Sequence, residues 1–119
     1  MGQNKGGFEM KMVITAKGKD LKDMVDPRFG RAEGFILYDT ETSEYSYHDN
    51  TENKEAGHGA GTNAAQKVAD LGAEVVITYH VGDKAQKVLD AQDIKVYQHV
   101  ENITVEEAVN KFLNGELEE

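Results

Sequence analysis

Val75-Val-Ile-Thr-Tyr79 is a run rich in β-branched residues with a helical pattern on each side, and that placement dictates the architecture. A strand with no polar alternation is buried on both faces, as happens in parallel sheets covered by helices. The stretch before it carries Ala64, Ala65, Val68, Ala69 and Leu71 at helical spacing and stops at Gly72. The stretch after it opens at Gly82-Asp83 and turns Ala85, Val88, Leu89 and Ala91 inward. The second half of the chain therefore reads as parallel strands joined by crossover helices.

The first half adds three strands. Met12-Val-Ile-Thr-Ala16 is a short buried strand, and Phe35-Ile-Leu-Tyr38 is a second. Glu44 to Asp49 alternates Tyr45 and Tyr47 with polar neighbours, as a half-exposed strand does, and pairs with the second strand as an antiparallel hairpin. Asn50 to Gly61 is polar, Gly-rich and aperiodic. Ile94-Lys-Val-Tyr97 is a last strand. Thr104-Val-Glu-Glu107 is a capping box, and it starts a helix with Val105, Ala108, Val109, Phe112 and Leu113 on one face. The expected order is β-β-β-α-β-α-β-α, an α/β domain on a five-stranded mixed sheet. It spans residues 10–114, between a flexible Gly-rich tail (1–9) and an acidic C-terminal tail (115–119). Met10 or Met12 would serve equally as a natural start.

The only proline and the only two arginines of the chain fall together in Asp26-Pro-Arg-Phe-Gly-Arg31. Arg offers a planar, permanently charged fork that suits bidentate contact with oxyanions. Pro27 fixes an extended turn and Gly30 allows a bend. The segment reads as a shaped loop presenting two guanidinium groups, or as one where an Arg pairs with a nearby carboxylate. The neighbouring Asp20, Asp23 and Asp26 read as a solvated polar turn.

Ligands of open α/β sheets gather at the carboxyl ends of parallel strands. Three stretches are expected there. One is the arginine turn, with Arg28, Phe29 and Arg31. Another is His58-Gly59-Ala60-Gly61-Thr62-Asn63, where Gly59 and Gly61 let backbone N–H groups approach a ligand at a helix start, and Thr62 and Asn63 add hydrogen bonds or cap the helix. The last is Tyr79-His80-Val81-Gly82-Asp83-Lys84, with His80 directly after a buried strand and Gly82 opening a helix. His58 and His80 are candidate metal or cofactor ligands. His48 and His99 read as structural or solvated. No Gly-Lys-Ser/Thr follows the glycines, so this is no Walker A loop, and the spacing does not fit a dinucleotide fingerprint.

Composition narrows the chemistry. With no cysteine, thiolate nucleophiles, disulfides and thiolate ligation are excluded. A net charge of −9 argues against non-specific nucleic-acid binding and makes any anion site a local exception. No apolar run approaches the length of a membrane span. The expectation is a cytoplasmic monomer or weak homodimer.

Met12-Val-Ile-Thr-Ala-Lys-Gly, Asp26-Pro-Arg-Phe-Gly-Arg31, Gly59-Ala-Gly-Thr-Asn-Ala-Ala-Gln66, Val75-Val-Ile, Gly82-x-Lys-Ala85 and Ile94-Lys-Val-Tyr97 occur in that order. Together they resemble the dinitrogenase iron-molybdenum cofactor biosynthesis family, over roughly residues 11–113. That family includes cofactor carriers of nitrogen fixation and the molybdenum–copper orange protein. The resemblance implies a small ribonuclease H-like domain. It implies non-covalent binding, storage or transfer of an anionic metal–sulfur cluster, iron-molybdenum or molybdenum–copper in type. Cofactor donor or acceptor proteins would be the partners, and no catalysis is implied. Family members often have a more Gly-rich stretch where this chain has Tyr79-His80-Val81. A nucleotide- or phosphate-binding regulatory module is the alternative reading of the same residues. A metal-dependent nuclease of this fold would need carboxylates on the first strand, and Val13-Ile-Thr-Ala16 carries none.

Overall fold

The computed structural model of the chain describes residues 10–119, so the expected tail at 1–9 lies outside the described residues. Five strands, β1 (Lys11–Ala16), β2 (Gly34–Asp39), β3 (Tyr45–Asp49), β4 (Val75–Ile77) and β5 (Lys95–Tyr97), form one sheet. Its order is β3-β2-β1-β4-β5. The hairpin β2–β3 and the pair β1–β2 are antiparallel, whereas β1–β4 and β4–β5 are parallel. This is the mixed sheet expected from the pattern, in the ribonuclease H-like arrangement that the resemblance implies. Four helices complete it: α1 (Thr51–Lys54), α2 (Ala60–Asp70), α3 (Asp83–Ala91) and α4 (Val105–Leu113).

The central strands are buried on both sides because alternate side chains serve two separate cores. Val13 and Val76 face α2 and α3, together with Phe35, Val68, Ala85 and Leu89. Met12, Ile14, Val75 and Ile77 face α4, with Ile36, Val105 and Val109. Hence these strands show no polar alternation, while β3 at the sheet edge does. The capping box of α4 forms as the sequence spells it. Thr104 Oγ1 accepts from Glu107 N at 3.1 Å, and Glu107 Oε1 accepts from Thr104 N at 2.8 Å.

Four details depart from the sequence expectations. The aperiodic stretch after Asp49 contains the one-turn helix α1, held by side chains and not by an apolar face. Strand β4 ends at Ile77, not Tyr79. Beyond it the chain keeps contact with the 97–100 segment through Thr78 N to Tyr97 O, His99 N to Tyr79 O and Val100 N to Thr78 O. Ala91 is exposed, because it falls on the far side of α3 from Ala85 and Leu89. Leu113 is 53% exposed at the rim of the α4 stripe, where Phe112 takes the inward place, edge-on to Tyr97 at 5.1 Å. At the C-terminus, Leu117 packs onto the α4-side core.

Phe35 is fully buried between the sheet and α2, and Phe29 lies against it at 6.0 Å between ring centroids. Phe35→Ala is expected to cost about 3–5 kcal/mol. A urea midpoint that falls accordingly, at unchanged slope, would bear this out, and a loss below about 1 kcal/mol would contradict it.

Candidate functional site

Strands β1 and β4 run parallel and end side by side, so the chain leaves both from one edge of the sheet. There Thr15 Oγ1 lies 2.8 Å from Thr78 Oγ1 and donates to the Asp26 carbonyl oxygen at 2.6 Å. Asp26 N donates back to Thr15 O at 2.9 Å. The arginine turn is thereby fastened to the end of β1. A backbone bridge between Arg28 and His80 ties it to the segment after β4.

Asp26 is not the solvated residue expected from its neighbours, because its side chain is 0% exposed. Its Oδ1 accepts from Arg28 N at 3.0 Å and Arg28 Nε at 3.1 Å. Its Oδ2 accepts from Arg28 Nη2 at 3.0 Å and Glu33 N at 3.1 Å. Burial pushes this carboxyl up, but the hydrogen bonds from the Arg28 side chain and from the N–H groups of Arg28 and Glu33 outweigh it. The net effect holds Asp26 below its ordinary value of 3.8. Arg28 therefore folds back as a strut, with part of its charge neutralised, although its side chain remains 51% exposed.

Arg31 is held differently. Its Nη1 donates to the carbonyl oxygens of Lys54 and Ala56, both at 2.8 Å. No carboxylate forms an ion pair with it among the described residues, so its charge stays uncompensated. Between the two arginines, Gly30 presses on the start of α2. A Cβ at Gly30 would lie 2.8 Å from both Gly61 Cα and Gly61 N, which leaves no room for a side chain. Gly59 sits at φ 79°, the left-handed conformation that glycine adopts without strain.

Helices α2 and α3 start at Gly59 and Gly82 with no side-chain cap. The N–H groups of Ala60, Gly61 and Thr62, and of Asp83, Lys84 and Ala85, find no acceptor among the described residues. The start of α4, away from this region, is fully satisfied. Val105 N donates to Asp23 O and Glu106 N to Leu21 O, and Thr104 and Glu107 serve each other. The contrast matters because unsatisfied helix starts are anion sites with partial positive charge.

A cleft of about 1070 Å³ opens over these helix starts. It gathers Arg28, Phe29, Arg31, His58, Gly59, Gly61, Thr62, His80 and Gly82 from the three expected stretches. Phe29 contributes from below, being 3% exposed and part of the core. Asn63 is not brought there. It turns to the back of the wall, where its Nδ2 donates to Asn53 Oδ1 at 3.3 Å. Thr62 spends its hydroxyl on the Gly59 carbonyl at 3.1 Å. His58 and His80 both reach the cleft, but no group of three or more His, Asp or Glu that could hold a metal ion occurs among the described residues. Tyr79, in the third stretch but not singled out there, also lines the cleft, edge-on to His99 at 5.7 Å. Sequence reasoning missed Asn50 and Asn53, which brace the loop from behind. Their signal was faint, two polar residues in a stretch with no periodicity.

The profile of the family described as "Dinitrogenase iron-molybdenum cofactor" matches residues 10–115. The chain belongs to that family. Several solved structures resemble it over nearly its whole length, two of them at 42% identity or more. The apo form of the orange protein from Desulfovibrio gigas is 46% identical, with a TM-score of 0.89, covering 92% of this chain and 91% of that one. A putative NifB protein from Thermotoga, solved by NMR, is 42% identical, with a TM-score of 0.81 and 92% coverage of each chain. An uncharacterized protein of Methanocaldococcus jannaschii is 32% identical over 96 residues, 79% of this chain and 80% of its own length. This member of the family thus carries its arginine turn and two open helix starts on one edge of its sheet.

Replacing Asp26 by Asn keeps the shape but removes acceptors from the Arg28 and Glu33 donors. The expected loss is about 1–3 kcal/mol at pH 7. Because the folded-state pKa lies below the unfolded one, the carboxylate's contribution is complete above the ordinary value of 3.8 and is lost as pH falls through the lowered value. Urea unfolding from pH 7 to pH 2 should show the gap between wild type and Asp26→Asn closing on acidification. A gap that stays constant would mean that the buried group is not ionised.

Proposed function

We propose that the cleft takes up, stores or hands on an anionic metal–sulfur cluster, iron-molybdenum or molybdenum–copper in type, without covalent attachment. The observation that carries this reading is the pair of uncapped helix starts in one cleft, beside the uncompensated charge of Arg31. On a molecule of net charge −9, that is a local reversal of sign. The donor set suits such cargo. A cluster with a sulfide periphery is large, polarisable and anionic, and it accepts many weak hydrogen bonds. Backbone N–H groups of α2 and α3 supply these, and Arg31 and Lys84 supply charge, offset in part by the Asp83 carboxylate at the start of α3. Ala60, Ala85 and the edge of Phe29 give an apolar floor, while His58 and His80 bring imidazole nitrogens to the rim. With no cysteine in the chain, thiolate ligation is closed to it, and retention rests on charge, hydrogen bonds and the two imidazoles.

Family membership supports this reading, as does the likeness to the orange protein. Groups that donate hydrogen bonds and carry positive charge are what a carrier needs, so a carrier is proposed and not an enzyme. Proteins that load or unload the cluster would be its partners. The free helix starts equally favour a second reading, a phosphate or nucleotide module.

Titration with tetrathiomolybdate, with and without copper, should produce a visible charge-transfer band. Arg31→Ala should weaken uptake about tenfold or more, the value of a charge-assisted hydrogen bond, while lowering the melting temperature only slightly. Arg28→Ala should reduce stability and uptake together, since it also strips the buried carboxylate. If no band forms, and phosphate, ATP or NAD raise the melting temperature instead, the phosphate reading replaces this one.

A further inference from the structure

The two walls of the cleft are backbone segments distant in sequence, and a side chain outside the cleft joins them. Asn53 Nδ2 donates to Gly30 O at 3.1 Å, in the arginine turn, and to Ala60 O at 2.9 Å, in the first residue of α2. Its two amide hydrogens thus bridge one wall to the other. Its Oδ1 accepts from Asn63 Nδ2 at 3.3 Å, which selects this orientation of the amide. A flipped amide would set an oxygen against two carbonyl oxygens.

A second observation points the same way. Asn50 begins α1 and is the residue type that caps helices, yet it makes no side-chain cap. Its Nδ2 reaches instead to Gly30 O at 3.1 Å and Ala32 O at 3.0 Å. The residue is 1% exposed and its Oδ1 has no partner among the described residues. A buried orphan acceptor is a cost that Asn50 bears without benefit to α1, whose first N–H, that of Thr51, is taken by Asp49 Oδ2 at 3.3 Å. It follows from directing the Asn50 amide at the arginine turn. Arg31, whose Nη1 is held by the Lys54 and Ala56 carbonyls, depends on the same short helix. Neither Asn50 nor Asn53 lines the cleft; they line a smaller recess behind its wall.

We propose that Asn53 is a positioning residue that sets the spacing between the Arg31 guanidinium and the free N–H groups of α2, and so the affinity of the cleft for its anion. The affinity part rests on the cluster-binding reading above. The geometry accounts for why an amide is required. Asp has the same shape but cannot donate, and Ala removes the bridge without adding charge.

The test compares wild type, Asn53→Asp, Asn53→Ala and a control, Val109→Ala, whose side chain is buried on the opposite face of the sheet. All four are measured at a temperature where each is folded by circular dichroism. With tetrathiomolybdate as the probe, both Asn53 variants should bind at least fivefold more weakly, and Val109→Ala should bind as wild type does. Backbone ¹⁵N relaxation gives a readout that needs no ligand. Order parameters at Gly30, Arg31, Ala60 and Gly61 should fall below about 0.6 in the Asn53 variants, while those at Asp83 to Ala85 hold. Unchanged order at the two walls overturns the proposal, whether or not the probe binds. So does a loosened cleft with undiminished uptake, or an equal loss of uptake in Val109→Ala. A wild type that takes up no probe sinks the cluster-binding reading alone, and the relaxation data still decide whether Asn53 holds the walls.

Discussion

A carboxylate sealed from water governs the site. Asp26 can remain ionised at 0% exposure only if N–H donors surround its oxygens. Meeting that demand bends the chain from Pro27 to Glu33 around it, with Arg28 returned onto its own turn. Phe29 is then driven into the core beside Phe35, and Gly30 is brought against Gly61 at the start of α2. The position of Arg31 follows. Thr15 and Thr78 complete the link by holding the turn to the ends of two parallel strands.

This division of labour separates two residues that composition treats alike. Arg28 serves the fold first, and Arg31 keeps its charge available. The same separation holds among the helices. The start of α4 is closed by its capping box and by the Leu21 and Asp23 carbonyls. The starts of α2 and α3 are left open, and both open into the cleft. Satisfying one helix and leaving two unsatisfied on a single edge concentrates the available positive potential there.

The architecture was legible because strands buried on both faces and helices with one apolar stripe leave clear periodic traces. The parity of Met12, Val13 and Ile14 and the stripe of Val105, Ala108 and Val109 are examples. The convergence of the arginine turn with the two glycine-led helix starts was legible as well, since parallel strands deliver their following loops to one edge. What failed to show was which polar side chains the fold would enclose. Asp26 read as one more acid in a polar loop, and although the pairing of an Arg with a nearby carboxylate was one reading of the turn, nothing local marks a carboxylate that will be enclosed by it. Asn50 and Asn53 carry no period, and their targets lie 18 to 23 residues earlier or in the next helix. Ala91 and Leu113 were misjudged for a simpler reason: apolar residues just off a helical stripe resemble those on it.

Where Gly30 meets Gly61, the cleft is bounded by two residues without side chains. Its shape there is consequently a property of the main chain, set by turn and helix geometry, while the side chains of His58, Tyr79, His80 and Lys84 stand exposed along its lining. Substitution at those four alters the surface that a ligand would meet and leaves the vessel itself inherited intact.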